Sequence, residues 1–351
     1  MSATERPHIV YVTRDIERAI GTDLSRENYT IISNQTDFAK STADKHSSVF
    51  LVDEPEQLDT WQLLEHPETT EVLKHLGNPH ILVFKNTKKI ERICAERGWN
   101  LLSPPAERAN TIEEKISQLE WMGNLSTYLP EHNVHLMKEV EWWGERFIVQ
   151  FNRAHTGTGT ILVESNEQLQ ELIAQFPERT VRVTEYIDAQ TFTWNIALDK
   201  QGTAVPGNMS YQITGLAPFT DSRFATVGND WVLPHSLSKE TKSKITQIML
   251  DVTEHMRASG WFGLFGIDFL VEPTGNVYLL EINARQPAST TCESLLQGAH
   301  NIFELHLKAV SGESIDVTPL ETLKTGAQVV LRNQEDLDFS TKQLSLELSK
   351  T

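Results

Sequence analysis

The sequence predicts a mixed α/β and α+β protein, in which an N-terminal parallel-sheet domain precedes a longer region built from hairpins and single helices. Over the first hundred residues, short apolar runs alternate with polar helical segments, a pattern that favours a parallel sheet. Beyond residue 110, paired apolar runs flank turn-rich loops, as expected of hairpins. A chain of 351 residues also exceeds the usual size of one domain, so two or three are expected.

The first domain is predicted to span residues 1–108, ending near the Pro-containing stretch LLSPPAERAN. Its strands are expected at the apolar runs 8–13, 29–33, 48–53 and 80–85. Its helices are expected at 14–20, 57–76 and 87–97, the last with Asn86 as N-cap and Gly98 as its end. No G-x-G-x-x-G follows the first strand, which argues against a dinucleotide site there.

The second region, 109–203, is predicted to begin with one helix over 111–130. Thr111 would cap this helix, and Glu114 would complete a capping box. Two apolar runs within 146–163 surround a Gly/Thr-rich loop, and a helix over 165–177 follows. Strands within 180–202 complete the region, with a bend between them.

The third region, 204–351, contains a long amphipathic helix over 238–260 that leads directly into an apolar hairpin. A further helix is expected at 293–311, and a last strand at 326–333. The hairpin itself, GIDFLVEPTGNVYLLEINAR (266–285), has acids inside strands that otherwise look like core.

With Thr274 and Gly275 at the hairpin tip, residues whose numbers sum to 549 face each other, so Asp268 pairs with Glu281. Alternation then places Leu270, Leu279 and Asn283 on the face of these acids, with Phe269, Leu280 and Ile282 on the opposite face. Like charges directly opposite in a sheet are destabilising by about 0.2–1 kcal/mol. Two carboxylates and an amide oxygen suit Mg²⁺ held partly by substrate phosphates, although a solvated outer face is an alternative explanation.

Composition narrows the function classes. The hydrophobic fraction of 39% and charged fraction of 23% are those of an ordinary globular protein, and a cytoplasmic location is the simplest expectation. A net charge of −17 disfavours nucleic acid and anionic membranes as partners. Because the same charge repels nucleotides, any phosphate site must be built locally. Oligomeric state stays open, a homodimer included.

The order of parts resembles the ATP-grasp superfamily, which includes biotin carboxylase and D-alanine–D-alanine ligase. The resemblance covers roughly residues 100–311, and GIDF…YLLEINAR is its most specific motif. It implies ATP and Mg²⁺ as cofactors, with Mn²⁺ as an alternative ion. The metal would lie on Asp268, Glu281 and Asn283, and Arg285 would stabilise an acylphosphate as the catalytic residue.

The resemblance also implies a set of nucleotide contacts. Lys115 and the loop HTGTGT would hold phosphates. The segment TEYI resembles the family's hinge between the two subdomains that hold ATP. The loop residues are Thr156, Gly157, Thr158 and Gly159, and the hinge residues are Glu185, Tyr186 and Ile187. Gln150 occupies the place where the family usually has a phosphate-binding lysine, so Arg153 or His155 are candidates to replace its charge.

The implied activity is that of an ATP-dependent ligase, in which a carboxylate becomes an acylphosphate and an amine attacks it. Carboxylation through carboxyphosphate is an alternative that the shared nucleotide domain does not separate. An ATP-binding regulatory protein without turnover is a third reading, motivated by Gln150. The partners are in each case small molecules.

Overall fold

Three β-sheets organise the chain, with helices packed around them. The structure is a computed structural model that describes residues 7–77, 80–152 and 159–330. The strands are β1 Ile9–Val12, β2 Tyr29–Asn34, β3 Val49–Val52, β4 His80–Val83, β5 Asn100–Leu101, β6 His132–Leu136, β7 Phe147–Phe151, β8 Thr160–Val163, β9 Thr180–Glu185, β10 Gln190–Leu198, β11 Ala204–Pro206, β12 Ser210–Thr214, β13 Thr226–Asp230, β14 Gly263–Val271, β15 Val277–Asn283 and β16 Ala327–Val329. The α-helices are α1 Asp37–Ala43, α2 Thr60–Glu65, α3 Pro67–His75, α4 Lys88–Arg97, α5 Ala106–Glu113, α6 Ser117–Met122, α7 Asn166–Gln175, α8 Lys239–Ala258, α9 Thr290–Gln297 and α10 Ile302–Ser311.

The first sheet confirms the predicted N-terminal parallel sheet. Its strand order is β3-β2-β1-β4-β5, and every pairing is parallel. Both faces are apolar: Tyr11 and Ile31 belong to one buried cluster, Val10 and Ile32 to another. Helices on both faces are the usual reason why parallel strands are apolar throughout. The fifth strand and α1 were not predicted.

The second sheet, β6-β9-β7-β8, is antiparallel and has two unlike faces. One face places Phe147, Val149 and Val183 in a small core with Leu169 of α7. The other face carries Gln150 directly opposite Arg182, and both side chains are buried. A polar pair is therefore enclosed on the face that does not build the core.

The third sheet contains the acidic hairpin, and its register differs in part from prediction. The tip is a three-residue loop, since Glu272 pairs with Asn276 and Gly275 has φ 87°. Pairs next to the tip, such as Phe269 with Leu279, therefore have numbers that sum to 548. A bulge between Asp268 and Phe269 then shifts the register, which restores the predicted pairing of Asp268 with Glu281. The bulge also reverses one assignment: Leu279 is in the core and fully buried, whereas Leu280 is only partly buried.

The prediction of a single helix over 111–130 is wrong, because the helix is interrupted between α5 and α6. Glu114 has an extended ψ of 126°, and Thr111 lies inside α5 rather than at its N-cap. The break has a partner: the backbone N–H of Lys115 donates to Asn152 O at 3.3 Å, and that of Ile116 donates to Asn152 Oδ1 at 2.9 Å. Bonds to the end of β7 thus replace the next helical turn, and Lys115 lies outside helical geometry.

Two further predicted helices are each split. Residues 57–76 form α2 and α3 because Pro67 starts a new helix after His66. Residues 293–311 belong to α9 and α10, separated at Gly298, which has φ 79°. The expected stop at Gly98 is confirmed, but Thr87 caps α4 where Asn86 was predicted. No helix within the described ranges is long and apolar enough to cross a membrane.

His306 on α10 supports the start of β14, and it predicts a pH dependence of stability. Its Nδ1 accepts the N–H of Leu264 at 3.1 Å, and burial lowers its pKa to about 3. The unfolded chain, with an ordinary histidine pKa of 6.5, then binds the additional proton between pH 6.5 and 3. Stability contributed by neutral His306 is therefore present above pH 6.5 and is lost as the pH falls.

We expect wild-type protein to lose about 2 kcal/mol of unfolding free energy between pH 7 and pH 5 through this group. His306→Asn, which keeps an acceptor near the Nδ1 position, should show a shallower pH dependence in urea titrations. The exposed His75→Asn is the matched control and should retain the wild-type slope. Equal slopes for wild type and His306→Asn would contradict the assignment.

Candidate active site

Two acidic side chains face each other across the β14–β15 pair, as the hairpin predicted. Asp268 and Glu281 are directly opposite, and Asp268 is 5% exposed. The Thr193 hydroxyl on β10 donates to Asp268 Oδ1, and Asn283 Nδ2 donates to Asp268 Oδ2 at 3.1 Å. Lys115, from the break between α5 and α6, forms an ion pair with Glu281 Oε2. The helix break thus delivers the lysine to the acidic pair.

The two carboxyl groups have opposite proton affinities. Burial, reinforced by the negative charge of Glu281, raises the pKa of Asp268 to about 7. The Lys115 ammonium lowers the pKa of Glu281 well below its usual range, outweighing its burial. Lys115 therefore neutralises the Glu281 carboxylate. Asp268 must lose its proton against the negative charge of Glu281. An added cation would remove that repulsion.

The donor set fits a divalent cation that binds oxygen. Asp268 and Glu281 supply carboxylates at neighbouring positions, as Mg²⁺ prefers. Within the described residues no group of three His, Cys, Asp or Glu side chains could hold a metal, so other ligands must come from amide, phosphate or water. Asn283 directs its Nδ2 at Asp268 and accepts from Arg285 on Oδ1 at 2.9 Å. A half-turn of this amide would present its oxygen to the cation, and Arg285 would then have to leave.

Arg285 is held by several single contacts. Its Nε lies 3.4 Å from Glu113 Oε1, an oxygen that is buried without a hydrogen-bond partner among the described residues. Lys85 already donates to Glu113 Oε2 at 2.6 Å. The Arg285 guanidinium also lies 5.5 Å from the ring centre of Phe84. These contacts keep the cation near the acidic pair without a bidentate partner.

Arg18 is a second arginine at this edge, and the sequence analysis missed it. Its guanidinium lies 4.8 Å from the ring centre of Phe84, and its NH1 donates to Ala288 O at 3.2 Å. Burial lowers the pKa of Arg18, and the nearby Arg285 adds to the effect. Phe84 directly follows β4, so both arginines approach the carboxyl end of the parallel sheet, where α/β proteins commonly bind ligands. No motif linked Arg18 to Arg285, because only the folded chain brings these distant segments together.

Gln150 is buried and has a charged neighbour that was also missed. Its Oε1 accepts from Arg182 Nε at 2.8 Å and from Arg182 NH2 at 2.5 Å. Arg153 and His155, the predicted replacements for a lysine at 150, lie outside the described residues, as do Thr156, Gly157 and Thr158. Gly159 is described, and its carbonyl accepts the N–H of Phe151 at 3.0 Å.

The predicted hinge lies where β9 leads into β10. Glu185 ends β9, and its carboxylate accepts the N–H of Glu131 at 2.9 Å, so this side chain is committed to a backbone contact. Tyr186 accepts a hydrogen bond from Arg223 NH2 at 2.6 Å, and the guanidinium of Arg146 lies 4.2 Å from its ring centre. Ile187 is half-buried. The hinge residues lie more than 70 positions before the acidic hairpin in sequence.

A family model described as an ATP-grasp domain matches residues 112–289, which is 178 of the 351 residues. The chain belongs to the ATP-grasp family. The match begins beside Lys115 and ends just beyond Arg285, so the predicted site residues lie inside the ATP-grasp domain.

Relatives and solved structures agree with this assignment. The N5-carboxyaminoimidazole ribonucleotide synthase of Staphylococcus epidermidis is 25% identical over 239 residues, 67% of this chain and 59% of that protein. The chain thus spans about three fifths of the length of this relative. The Staphylococcus aureus N5-carboxyaminoimidazole synthetase with ADP superposes with TM-score 0.64 at 13% identity, over 91% of this chain and 80% of the other. A biotin carboxylase domain from Hydrogenobacter thermophilus, in complex with MgADP, ADP and bicarbonate, gives TM-score 0.63 at 14% identity, over 89% and 71%. At these identities, the structures establish the ATP-grasp fold.

The acidic pair of this ATP-grasp domain predicts a trade between stability and metal binding. Asp268→Asn removes a carboxylate whose folded pKa, about 7, is raised above its unfolded value near 3.8. Its destabilising effect grows as the pH rises from 3.8 to 7. We therefore expect Asp268→Asn to be more stable than wild type at pH 8 without metal, by up to about 4 kcal/mol.

Thermal unfolding with and without Mg²⁺ measures both halves of this prediction. Mg²⁺ should raise the midpoint of wild type and leave that of Asp268→Asn unchanged. Asp53→Asn, at an exposed carboxylate, is the matched control and should behave as wild type. A metal response retained in Asp268→Asn would remove this residue from the site.

Proposed function

We propose that this chain is an ATP-dependent ligase, which activates a carboxylate as an acylphosphate for attack by an amine. The observation that carries the proposal is the acidic pair of buried Asp268 and partly buried Glu281, set opposite each other with Lys115 and Asn283 in contact. Such a pair is unfavourable by itself and becomes favourable when a cation and an anionic ligand complete it. Its position inside a matched ATP-grasp domain makes Mg²⁺ and ATP the natural pair, with Mn²⁺ as an alternative ion.

The nucleotide is proposed to lie between the second and third sheets. The hinge Glu185–Ile187 would receive the adenosine, and Lys115 with the 155–160 loop would face the phosphates. This follows the proposed division into an N-terminal domain (1–108), a linker and lid (109–203), and a metal and substrate part (204–351). Support comes from ADP in the S. aureus synthetase and MgADP in the H. thermophilus domain, which share this fold.

The proposed reaction has two displacements. A carboxylate oxygen attacks the γ-phosphorus, the bond to the β-phosphate oxygen breaks, and ADP leaves. The amine nitrogen then attacks the acyl carbon, phosphate leaves, and the nitrogen loses a proton. A bound Mg²⁺ would neutralise phosphate charge during the first displacement. Arg285 would turn from Asn283 and Glu113 to hold the acylphosphate, and Arg18 would orient the incoming carboxylate beside Phe84.

A specific observation favours carboxylation as the second candidate. The first relative is named for a carboxylated amine, and the H. thermophilus domain holds bicarbonate. Bicarbonate would then be the activated acid. Both reactions need the same nucleotide geometry, so the acceptor and acid must be distinguished by experiment.

Small-molecule partners and a cytoplasmic location belong to the same proposal. The net charge of −17 opposes nucleic acid and anionic membranes. Both cysteines, Cys94 and Cys292, are free. This agrees with a reducing compartment.

The function is tested by calorimetric titration of Mg²⁺-ATP, followed by coupled detection of ADP. Acids and amines are added singly and in pairs, with a separate bicarbonate arm. ADP formation that needs both an acid and an amine supports the ligase, and ADP formation with bicarbonate alone supports carboxylation. Tight ATP binding without turnover would support the regulatory alternative. No binding of ATP and Mg²⁺ would refute the proposal.

Arg285→Gln should separate catalysis from nucleotide binding. Because Arg285 is proposed to act on the acylphosphate, we expect kcat to fall by about 100-fold or more, while ATP affinity changes less than about threefold. Arg92→Gln, an exposed helical arginine beside Glu96, is the control and should have wild-type kcat. An equal loss of kcat and ATP affinity would place Arg285 in the nucleotide site instead.

A further inference from the structure

A buried arginine lies on the cleft face of the second sheet. Arg182 is 2% exposed and sits on β9 directly opposite Gln150 on β7. The neighbouring positions Val181 and Val183 point to the other face, into the small core with α7. Alternation along the strand therefore directs Arg182 alone of the three towards the acidic hairpin. Burial lowers its pKa to about 10, so it stays charged at neutral pH, and Glu281 is close enough to favour that charge.

The contacts of Arg182 are unusual for a buried guanidinium. Nε and NH2 donate to Gln150 Oε1, and NH1 lies 3.5 Å from Gln118 Oε1. Gln118 is fully buried, and its Nε2 donates to Ile112 O at 2.7 Å, which turns its oxygen towards Arg182. Across residues 7–77, 80–152 and 159–330, no carboxylate lies within 4.0 Å of Arg182. Two neutral amides thus orient a full positive charge that they do not neutralise.

Three cations near the acidic pair differ in this respect. Lys115 is paired with Glu281, and Lys85 and Arg285 share Glu113. Among these four described cations, only Arg182 has no acidic partner. Three of its five N–H groups are used by the two glutamines, and two remain for a ligand. A buried guanidinium with free donors, near the same Glu281 that Lys115 contacts, suits a polyphosphate oxygen.

We propose that Arg182 binds the polyphosphate of the nucleotide, with Gln150 and Gln118 as positioning residues that hold its guanidinium. This inference rests on the proposed nucleotide-dependent function. It also accounts for Gln150: the positive charge expected at this place on β7 is carried by the residue paired with it on β9. Gln150 then orients the phosphate-binding group instead of supplying it.

Nucleotides of decreasing phosphate content test the assignment. Affinities for Mg²⁺-ATP, ADP and adenosine are measured by calorimetry on wild type and Arg182→Gln. We expect about 10- to 100-fold weaker binding of ATP and ADP, the loss of one charge-assisted contact, and less than about threefold change for adenosine. Arg179→Gln, at an exposed arginine directly before the same strand, is the matched control and should bind all three as wild type.

An exchange variant tests the charge itself. Gln150→Lys with Arg182→Gln returns the cation to β7 and keeps one cation and one amide in the buried pair. It should recover ATP affinity to within about tenfold of wild type. Arg182→Lys keeps the charge but loses the fork, and it should bind ATP about three- to tenfold more weakly with adenosine unchanged. These two variants, checked by thermal unfolding, carry the test if Arg182→Gln does not fold.

The outcomes separate the two proposals. Wild type that binds no nucleotide overturns both the function and this inference. Wild type that binds ATP, with Arg182→Gln or the exchange variants losing ATP and adenosine equally, assigns Arg182 a structural role and overturns this inference alone. Unchanged ATP affinity in Arg182→Gln does the same. A loss that depends on phosphate content supports it.

Discussion

Two carboxylates set opposite each other on adjacent strands are the constraint around which the candidate site is arranged. Asp268 and Glu281 repel each other across the β14–β15 pair, and water is largely excluded from Asp268. Lys115 forms an ion pair with Glu281 and reduces this repulsion. Lys115 lies at the point where the chain leaves helical geometry before α6. One cation for two acids leaves the pair incomplete. Two carboxylates with one cation destabilise the folded protein when no ligand is bound. They suit a ligand that brings further cations together with an anion.

All three sheets contribute to the surroundings of this pair. The third sheet supplies the acids, and the second sheet presents the oriented guanidinium of Arg182 from its polar face. The parallel sheet contributes Phe84 and Lys85 directly after β4, where they meet Arg285 and Glu113. A chain with a net charge of −17 thus gathers its cations where a phosphate-bearing substrate would need them. Local placement of charge, rather than overall charge, decides which anions such a cleft admits.

Membership of the ATP-grasp family is compatible with a redistributed phosphate site. Solved structures at 13–14% identity share the fold over most of this chain, so backbone geometry is retained while side chains differ widely. Directly paired residues in an antiparallel sheet have side chains on the same face, a few ångströms apart. A positive charge can therefore be carried at position 182 instead of position 150 without a change in the backbone. The absence of a lysine at position 150 alone is therefore weaker evidence of lost activity than the absence of a positive charge from both position 150 and position 182 would be.

The sequence by itself determined the parallel N-terminal sheet, the hairpin with Asp268 opposite Glu281, and the ATP-grasp resemblance. These features depend on local alternation, turn residues and short motifs, which can be recognised in the amino-acid sequence alone. It misplaced Leu279 and Leu280, because bulge and loop length act together and only the paired strand reveals the extra residue. The sequence also predicted α5 and α6 as one helix, because the hydrogen bonds that Lys115 and Ile116 donate to Asn152 compete with helix propensity. Arg18 approaches Arg285, and Arg182 approaches Glu281, only in the tertiary structure, because burial and long-range charge partners are properties of the folded chain.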